Sequence, residues 1–265
     1  MTSSSAYLLV FHGSRDSRTQ LAASHLAWLL TTELKSKTIL TQQNHLTQDL
    51  LFLQKKRVTT LNPSKIPLVD AAALELASLP LHESIVLFAQ KARKSGYERI
   101  KVLPLFLGSG VHVREDIPTE IAKAMKMIDD QIIIELCPYL GKYSGIVQLL
   151  TRKFTELSGE GRILVAHGTR LSIVDNPWES LASKLNAISA YWSVPPSLAQ
   201  QVEFQVAAGK KKIAILPYFL FPGRITTAIA SQVVQLQATF PQTELILGQP
   251  LGATLELAKL IVEEV

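Results

Sequence analysis

Residues 7–15 read Tyr-Leu-Leu-Val-Phe-His-Gly-Ser-Arg, and residues 162–170 repeat the pattern as Arg-Ile-Leu-Val-Ala-His-Gly-Thr-Arg. A second related pair follows, in which residues 103–112 read Leu-Pro-Leu-Phe-Leu-Gly-Ser-Gly-Val-His and residues 216–225 read Leu-Pro-Tyr-Phe-Leu-Phe-Pro-Gly-Arg-Ile. The same two motifs in the same order predict a chain of two related halves. Because only the first half keeps the second histidine, we expect the halves to differ in chemistry.

Apolar runs of strand length alternate with stretches of helical periodicity along the chain. Such alternation is typical of a parallel sheet with helices on both faces, so the fold is predicted to be α/β with one four-stranded parallel sheet in each half. The first half is predicted to have strands near 6–11, 68–74, 99–105 and 131–136 and helices near 18–34, 81–94, 115–127 and 143–157. The second is predicted to have strands near 162–166, 187–192, 212–217 and 243–247 and helices near 177–186, 196–208, 224–239 and 253–264.

The turn Ser-Gly-Glu-Gly at residues 158–161 is the predicted junction between two domains. The domains would then be 1–158 and 159–265, with the ligand cleft between them. The first half carries extra sequence at about 36–66, rich in Gln, Thr and Lys. We expect a long connection there, either a lid or a plain surface excursion.

Composition narrows the class of protein. The chain has 265 residues, of which 47% are hydrophobic, which is typical of a globular protein. No apolar run approaches the roughly 20 residues that cross a bilayer, and the first residues lack a targeting pattern. The single cysteine, Cys137, cannot form an internal disulfide or hold a cysteine-bound cluster. We therefore expect a cytoplasmic protein with no membrane partner.

The formal net charge of +5 indicates an anionic partner. Nucleic acid, an anionic membrane surface and a small polycarboxylate all fit that charge. Aromatic residues are few and do not alternate with basic ones, as a surface that stacks single-stranded bases would require. We therefore expect no nucleic-acid partner.

Three side chains that bind metals or protons follow successive predicted strands of the first half. His12 follows the first strand, Glu75 the second and His112 the third. Ligands bind beyond the carboxyl ends of the strands in open parallel sheets, so we expect the three to meet at one rim. The alternative role for Glu75 is to place negative charge at the start of the helix near Pro80.

Two neutral imidazoles and a carboxylate suit a borderline divalent ion such as Fe²⁺, Co²⁺ or Ni²⁺. The same groups accept protons near neutral pH. In the second half His167 remains, Ile225 stands at the position of His112, and no carboxylate occurs near Tyr191. The catalytic and metal-binding site is therefore predicted in the first half, and structural roles are predicted for the other histidines: His25, His45, His82 and His167.

Three stretches of the first half resemble the sirohydrochlorin chelatases, class II chelatases that insert a divalent metal into a precursor of siroheme or cobalamin. They are Val-Phe-His-Gly-Ser-Arg-Asp at 10–16, Ala-Leu-Glu-Leu-Ala-Ser-Leu-Pro at 73–80, and residues 103–118, which end in Gly-x-His-x-x-x-Asp-Ile-Pro. The second half resembles the second domain of that family. The resemblance covers nearly the whole chain except about 36–66, and the histidine-rich tail and cysteine cluster of some relatives are missing.

The resemblance implies roles for the candidate residues. His12 would be a proton acceptor and metal ligand, and His112 a second metal ligand. Glu75 would assist proton removal and contact the macrocycle. A loop would lie against the tetrapyrrole, formed by Leu107, Gly108, Ser109, Gly110 and Val111.

The resemblance also implies the substrates, which are sirohydrochlorin and a divalent ion: Fe²⁺ first, with Co²⁺ and then Ni²⁺ as alternatives. No organic cofactor is expected, and the protein would be a monomer or a homodimer. Sirohydrochlorin is a polycarboxylate, which gives the positive charge a purpose, because arginine forms strong bonds with carboxylates. The candidate arginines are Arg15, Arg18, Arg114 and, from the second half, Arg224.

Two other functions are compatible with parts of the pattern. A two-lobed binding protein could carry a metal ion or a tetrapyrrole without turnover. A phosphatase with a histidine nucleophile also has His-Gly after a strand. Phe11 precedes His12 here, however, so the phosphate-holding arginine expected there is missing.

Overall fold

The computed structural model describes residues 5–52, 66–128, 132–169 and 177–265, with the side chains of 40–52 left out. The first half has strands β1 (Ser5–Phe11), β2 (Val69–Ala73), β3 (Arg99–Pro104) and β4 (Ile133–Leu136). Its helices are α1 (Ser17–Phe52), α2 (Leu81–Lys94), α3 (Ile117–Met127) and α4 (Gly145–Leu157). All strand pairs are parallel, in the order β2-β1-β3-β4.

The second half repeats this arrangement. Its strands are β5 (Gly161–Ala166), β6 (Ile188–Tyr191), β7 (Lys212–Pro217) and β8 (Glu244–Leu247). Its helices are α5 (Pro177–Lys184), α6 (Leu198–Ala207), α7 (Arg224–Thr239) and α8 (Leu255–Glu264). The parallel sheet has the equivalent order β6-β5-β7-β8. The predicted fold class, two similar α/β units with four-stranded parallel sheets, is confirmed.

The two halves share one apolar core. Side chains alternate between the faces of each strand, so Leu9 of β1 points into the shared core and Leu8 points to the opposite face. Helices α1 and α4 cover the inner face of the first sheet, and α5 and α8 cover that of the second. Side chains from all four helices form this core, and α2 with α3 and α6 with α7 cover separate outer clusters.

Helix α8 of the second half is anchored to the first half. Gly145, the first residue of α4, lies so close to α8 that an added Cβ would be 3.0 Å from Leu260. Lys101 of β3 donates a hydrogen bond to the backbone oxygen of Val265 at 2.8 Å, and Lys37 of α1 donates one to the carbonyl of Val262 at 2.8 Å. Cations stabilise the carbonyl end of a helix, so α8 ties the halves together.

The predicted end of the first helix is wrong. Helix α1 continues to Phe52 instead of ending near 34, so it occupies much of the extra sequence expected at about 36–66. The physical reason is that no glycine or proline occurs between Ser17 and Asn62, and polar Gln, Thr and Lys are all compatible with an exposed helix. Residues 53–65, where the rest of that expected connection falls, lie outside the described residues.

Smaller differences concern element boundaries. Strand β4 begins at Ile133 instead of 131, and residues 129–131 lie outside the described ranges. Helix α3 begins at Ile117 instead of 115, after a π-helical turn over His112–Asp116. No helix in the described ranges has the length and apolar character that a membrane span requires.

Helices α2 and α3 are joined by a small polar cluster. The Nδ1 of His82 lies 2.7 Å from Oε2 of Glu120, and the backbone N–H of His82 donates to the same oxygen at 3.0 Å. Lys123 donates to Oε1 at 2.6 Å. Desolvation alone would raise the pKa of Glu120, but the hydrogen bonds from Lys123 and His82 outweigh it and lower the pKa to about 2.

We expect Glu120→Gln to lower the free energy of unfolding at neutral pH by on the order of 1 kcal/mol, because a charged acceptor is lost. The folded-state pKa of Glu120 lies below its usual value of 4.5, so the wild-type advantage is present above about pH 4.5 and is lost as the pH falls toward about 2. Urea unfolding between pH 7 and pH 3 measures the advantage, with the exposed Glu98→Gln as control. An advantage that does not change with pH would contradict the role given to this carboxylate.

Candidate functional site

His12 is the first residue after β1. Its Nδ1 lies 3.1 Å from the carbonyl oxygen of Gly13. A carbonyl oxygen can only accept, so Nδ1 carries the hydrogen and Nε2 keeps its lone pair. The exposed imidazole of His12 therefore offers Nε2 to a metal ion or a proton.

Gly13 brings His12 and Glu75 together. Its φ angle of +95° is one that residues with a side chain rarely adopt, and an added Cβ would collide with the carbonyl oxygen of Glu75. With glycine there, the loops after β1 and β2 touch, and the N–H of Glu75 donates to the carbonyl of His12 at 3.0 Å. Glu75 lies two residues beyond the end of β2, and its side chain is 49% exposed.

His112 begins the π-helical turn that leads into α3. The N–H of Ile117 donates to the carbonyl of His112, one residue further back than in an α-helix. Pro118 follows and has no N–H to continue a regular helical ladder backwards. The turn places Asp116 Oδ2 at 2.7 Å from the Nδ1 of His112. Since a carboxylate only accepts, Nδ1 donates and Nε2 of His112 is also left with its lone pair.

The structure brings the three predicted side chains to one rim of the first sheet. The rings of His12 and His112 are perpendicular with their centroids 4.6 Å apart. Oε1 of Glu75 lies 3.9 Å from the Nδ1 of His112. The ring of Phe106 lies beside both histidines, with centroid distances of 6.4 Å to His12 and 6.0 Å to His112. Two imidazoles thus adjoin one aromatic ring, and a carboxylate lies beside one of them.

Two imidazole nitrogens are the metal-binding atoms that this arrangement offers. Within the described ranges, no three His, Cys, Asp or Glu side chains are grouped so that they could hold a metal ion. Cys137 is buried, and its burial raises the pKa of the thiol to about 11, which keeps it protonated. A metal ion bound by His12 and His112 would retain positions for other ligands.

Sequence reasoning missed Asp116 and Phe106. Asp116 fixes the orientation of His112, and the His-x-x-x-Asp spacing was its signal, because residues four apart in a helical turn share a face. Phe106 is the second residue after β3, and the signal was an aromatic residue at the carboxyl end of a buried strand.

The residues of the predicted tetrapyrrole loop, 107–111, lie in different environments. Leu107 packs against the shared core, and Gly108 lies against the second half, where an added Cβ would be 3.1 Å from Trp178. Ser109, Gly110 and Val111 are exposed, and nothing lies within 4 Å of a Cβ added at Gly110. The three exposed residues are the part of the loop open to a ligand.

The candidate arginines lie around the same rim. Arg15 and Arg114 are exposed, three residues after His12 and two after His112. Arg18 is paired with Asp16, and Nη1 and Nη2 of Arg18 each lie 3.4 Å from the hydroxyl of Thr227 in α7. Arg224 begins α7 and is exposed. The rim of the first half and the start of α7 therefore face each other.

The second half keeps the backbone of the site but not its side chains. His167 Nδ1 lies 3.1 Å from the carbonyl of Gly168, as in the first half. The N–H of Ser193 donates to the carbonyl of His167 at 3.0 Å, so a serine stands where the first half has Glu75. Ile225 takes the place of His112. Of the three equivalent positions in the second half, all of them described, only His167 carries a side chain that binds metals or protons.

The remaining histidines lie elsewhere. His25 is exposed and stacks on Trp28 with a centroid distance of 5.8 Å. His82 is engaged by Glu120. The side chain of His45 lies outside the described residues. The structural roles predicted for His25 and His82 agree with these positions.

We expect Asp116→Asn to weaken Co²⁺ binding by about ten- to a hundredfold, because carboxylates that orient a histidine ligand contribute that much to metal affinity. The affinity is measured by titrating the protein with Co²⁺ and following visible absorption. Glu115→Gln, an exposed residue of the same turn, is the matched control and should bind as the wild type does. Equal affinities of Asp116→Asn and Glu115→Gln would contradict a positioning role for Asp116.

Comparison with known proteins places this geometry in context. The sirohydrochlorin ferrochelatase of Priestia megaterium is 25% identical over 213 residues, covering 76% of this chain and 77% of that protein. Two solved structures share the fold at 20% identity: the sirohydrochlorin chelatase SirB from Bacillus subtilis subspecies spizizenii in complex with cobalt, and SirB from Bacillus subtilis with Fe³⁺. The first has a TM-score of 0.66 and covers 99% of this chain and 94% of that one. The second has a TM-score of 0.69 and covers 98% and 94%.

The family resemblance that the sequence motifs indicate is confirmed over nearly the whole length of the chain. The family model described as CbiX matches residues 6–157 and again residues 161–265, once for each half. The chain therefore belongs to the CbiX family.

Proposed function

We propose that this protein is a sirohydrochlorin chelatase that inserts Fe²⁺, or alternatively Co²⁺, into sirohydrochlorin. The proposal is supported by membership of the CbiX family and by the activity for which the relative from Priestia megaterium is named. The observation that carries it is the perpendicular pair of His12 and His112, 4.6 Å between ring centroids, with Glu75 beside them. Reaction in the cytoplasm without an organic cofactor is part of the same proposal.

The two imidazoles bind the metal ion. A hydrated divalent ion must lose water before ring nitrogens can bind it, and Nε2 of His12 and Nε2 of His112 replace part of that water. Borderline ions such as Fe²⁺, Co²⁺ and Ni²⁺ accept imidazole ligands, so the site does not choose sharply among them. Since only two imidazoles bind, the ion is held loosely enough to pass to the four nitrogens of the macrocycle.

Glu75 and His12 accept the protons that leave the ring. Two pyrrole N–H protons leave the ring as the dication enters, so the charge of the ring-bound metal is balanced and two protons must be taken up. The carboxylate of Glu75 is half exposed at the rim, and the Nε2 lone pair of His12 becomes available to a proton when the metal ion passes from it to the ring. Groups of these types remove protons from reacting nitrogens and release them to solvent.

The macrocycle would lie between the rim of the first half and the start of α7. We infer that residues 1–158 and 159–265 act as two domains on either side of this cleft. Ser109, Gly110 and Val111 are the exposed loop residues next to His112, and Gly110 allows close approach of a flat ring. Arg15 and Arg114 are exposed at the same rim, where they can pair with substrate carboxylates.

We expect His12→Ala and His112→Ala each to slow metallation about a hundredfold or more, and Glu75→Gln to slow it at least about tenfold, because general bases contribute on the order of a hundredfold to proton transfer. The rate is the absorbance change when Co²⁺ or Fe²⁺ is added to sirohydrochlorin with protein at a small fraction of the substrate. His167→Ala, the equivalent histidine of the second half, is the matched control and should stay within about twofold of wild type.

The same assay distinguishes an enzyme from a carrier protein. An enzyme metallates many equivalents of sirohydrochlorin, whereas a carrier stops after one equivalent. A single equivalent would contradict the proposed activity, and a larger loss in His167→Ala than in His12→Ala would place the site in the other half.

A further inference from the structure

The rim of the first half contains a carboxylate that is already paired with arginine. Nε of Arg18 donates to both carboxylate oxygens of Asp16 at 3.0 and 3.1 Å, and Nη2 donates at 2.6 Å. The side chain of Asp16 is only 12% exposed, whereas that of Arg18 is 52% exposed. Asp16 therefore occupies the inner edge of a guanidinium whose outer edge is open to solvent.

Arg18 also reaches the second half. Its two terminal nitrogens lie 3.4 Å from Oγ1 of Thr227 in the first turn of α7. The Thr227 hydroxyl donates to the carbonyl of Gly223 at 3.0 Å, so its lone pairs face the guanidinium. The start of α1 and the start of α7 thus converge on one arginine.

Arg224 is the first residue of α7, three positions before Thr227 and therefore on the same face of that helix. Hydrogen bonds from Arg18 lower the pKa of Asp16, and the positive charge of Arg224 lowers it further, so Arg224 and Asp16 are electrostatic neighbours. In the repeated motif Arg224 stands at the position of Val111, next to Ile225 in place of His112. The second half therefore has no imidazole at that position and carries a guanidinium beside it.

We propose that Arg18 and Arg224, one from each half, form a subsite for one carboxylate of the macrocycle, and that Asp16 is the internal counter-ion that such a carboxylate displaces. The subsite rests on the proposed function, since it assigns part of the substrate's recognition. Two helix N-termini and two guanidinium groups favour an anion there. Because the substrate carboxylate must replace that of Asp16, the subsite selects ligands that carry a negative charge and fit between the two guanidinium groups.

The test is equilibrium binding of uroporphyrin, a metal-free octacarboxylate macrocycle, followed by its fluorescence. Arg18→Gln and Arg224→Gln should each weaken binding about tenfold, because a charge-assisted bond to a carboxylate is lost. Arg93→Gln, in the last turn of α2 at the opposite end of the sheet, makes the same charge change and should leave binding within about twofold. Thermal melting checks that all variants are folded.

The Asp16→Asn variant tests the counter-ion role by the direction in which the affinity for uroporphyrin changes. Asp16 Oδ1 also accepts from the backbone N–H of Arg18 at 3.1 Å, a helix cap that asparagine can still form. Because asparagine is neutral and competes only weakly for the guanidinium, uroporphyrin should bind several-fold more tightly to Asp16→Asn than to Asp70→Asn. Asp70 pairs with Lys91 near the amino end of β2, so its variant has the same net charge without touching the rim. Weaker or equal binding in Asp16→Asn would overturn the role of Asp16 as a displaced counter-ion.

These experiments distinguish a failure of the proposed subsite from a failure of the proposed activity. If Arg18→Gln and Arg224→Gln bind uroporphyrin as Arg93→Gln does while the wild type metallates sirohydrochlorin, the subsite is wrong and the activity stands. If binding depends on both arginines but no metallation occurs, the subsite stands and the activity is wrong.

Discussion

The parallel register of β1 with its two neighbours sets the geometry of the site. Phe11 pairs with Ala73 of β2, and Val10 pairs with Pro104 of β3, so the three strands end at nearly the same level. The segments that carry His12, Glu75 and His112 all begin from that level. A shift of one residue in any of these strands would turn its side chains to the other face and separate the groups. The chemistry of the rim therefore depends first on backbone pairing.

The two halves show how a conserved backbone can carry different chemistry. Leu105 and Tyr218 make equivalent hydrogen bonds to the strand beside them, at 2.7 and 2.8 Å, and the hydrogen bonds at the rim are repeated as well. The side chains have diverged, because glutamate is replaced by serine and the second imidazole by isoleucine. The second half instead contributes Trp178, which lies against Gly108, and the basic start of α7. A shared scaffold thus supports a reactive rim and an opposing surface.

Much of this arrangement follows from sequence patterns, and the exceptions have physical causes. Strand ends predict where His12, Glu75 and His112 lie, because parallel strands finish at one edge. The polar residues after position 34 predict a connection, whereas the lack of glycine and proline from Ser17 to Phe52 allows the longer α1 that the structure has. The pairing of Asp116 with His112 could be predicted from their four-residue spacing, whereas the π-helical turn that holds the pair leaves no periodic signal. The contact of Gly108 with Trp178 is packing between halves, which local sequence does not encode.

The shared core makes the chain a single thermodynamic unit. Leu26 and Leu30 of α1, Phe154 of α4 and Ile261 of α8 are completely buried in it. Separating the halves would divide this cluster, and each large apolar side chain that became fully exposed would cost roughly 1.5–3 kcal/mol. We therefore expect the two halves to unfold together, because they share this core.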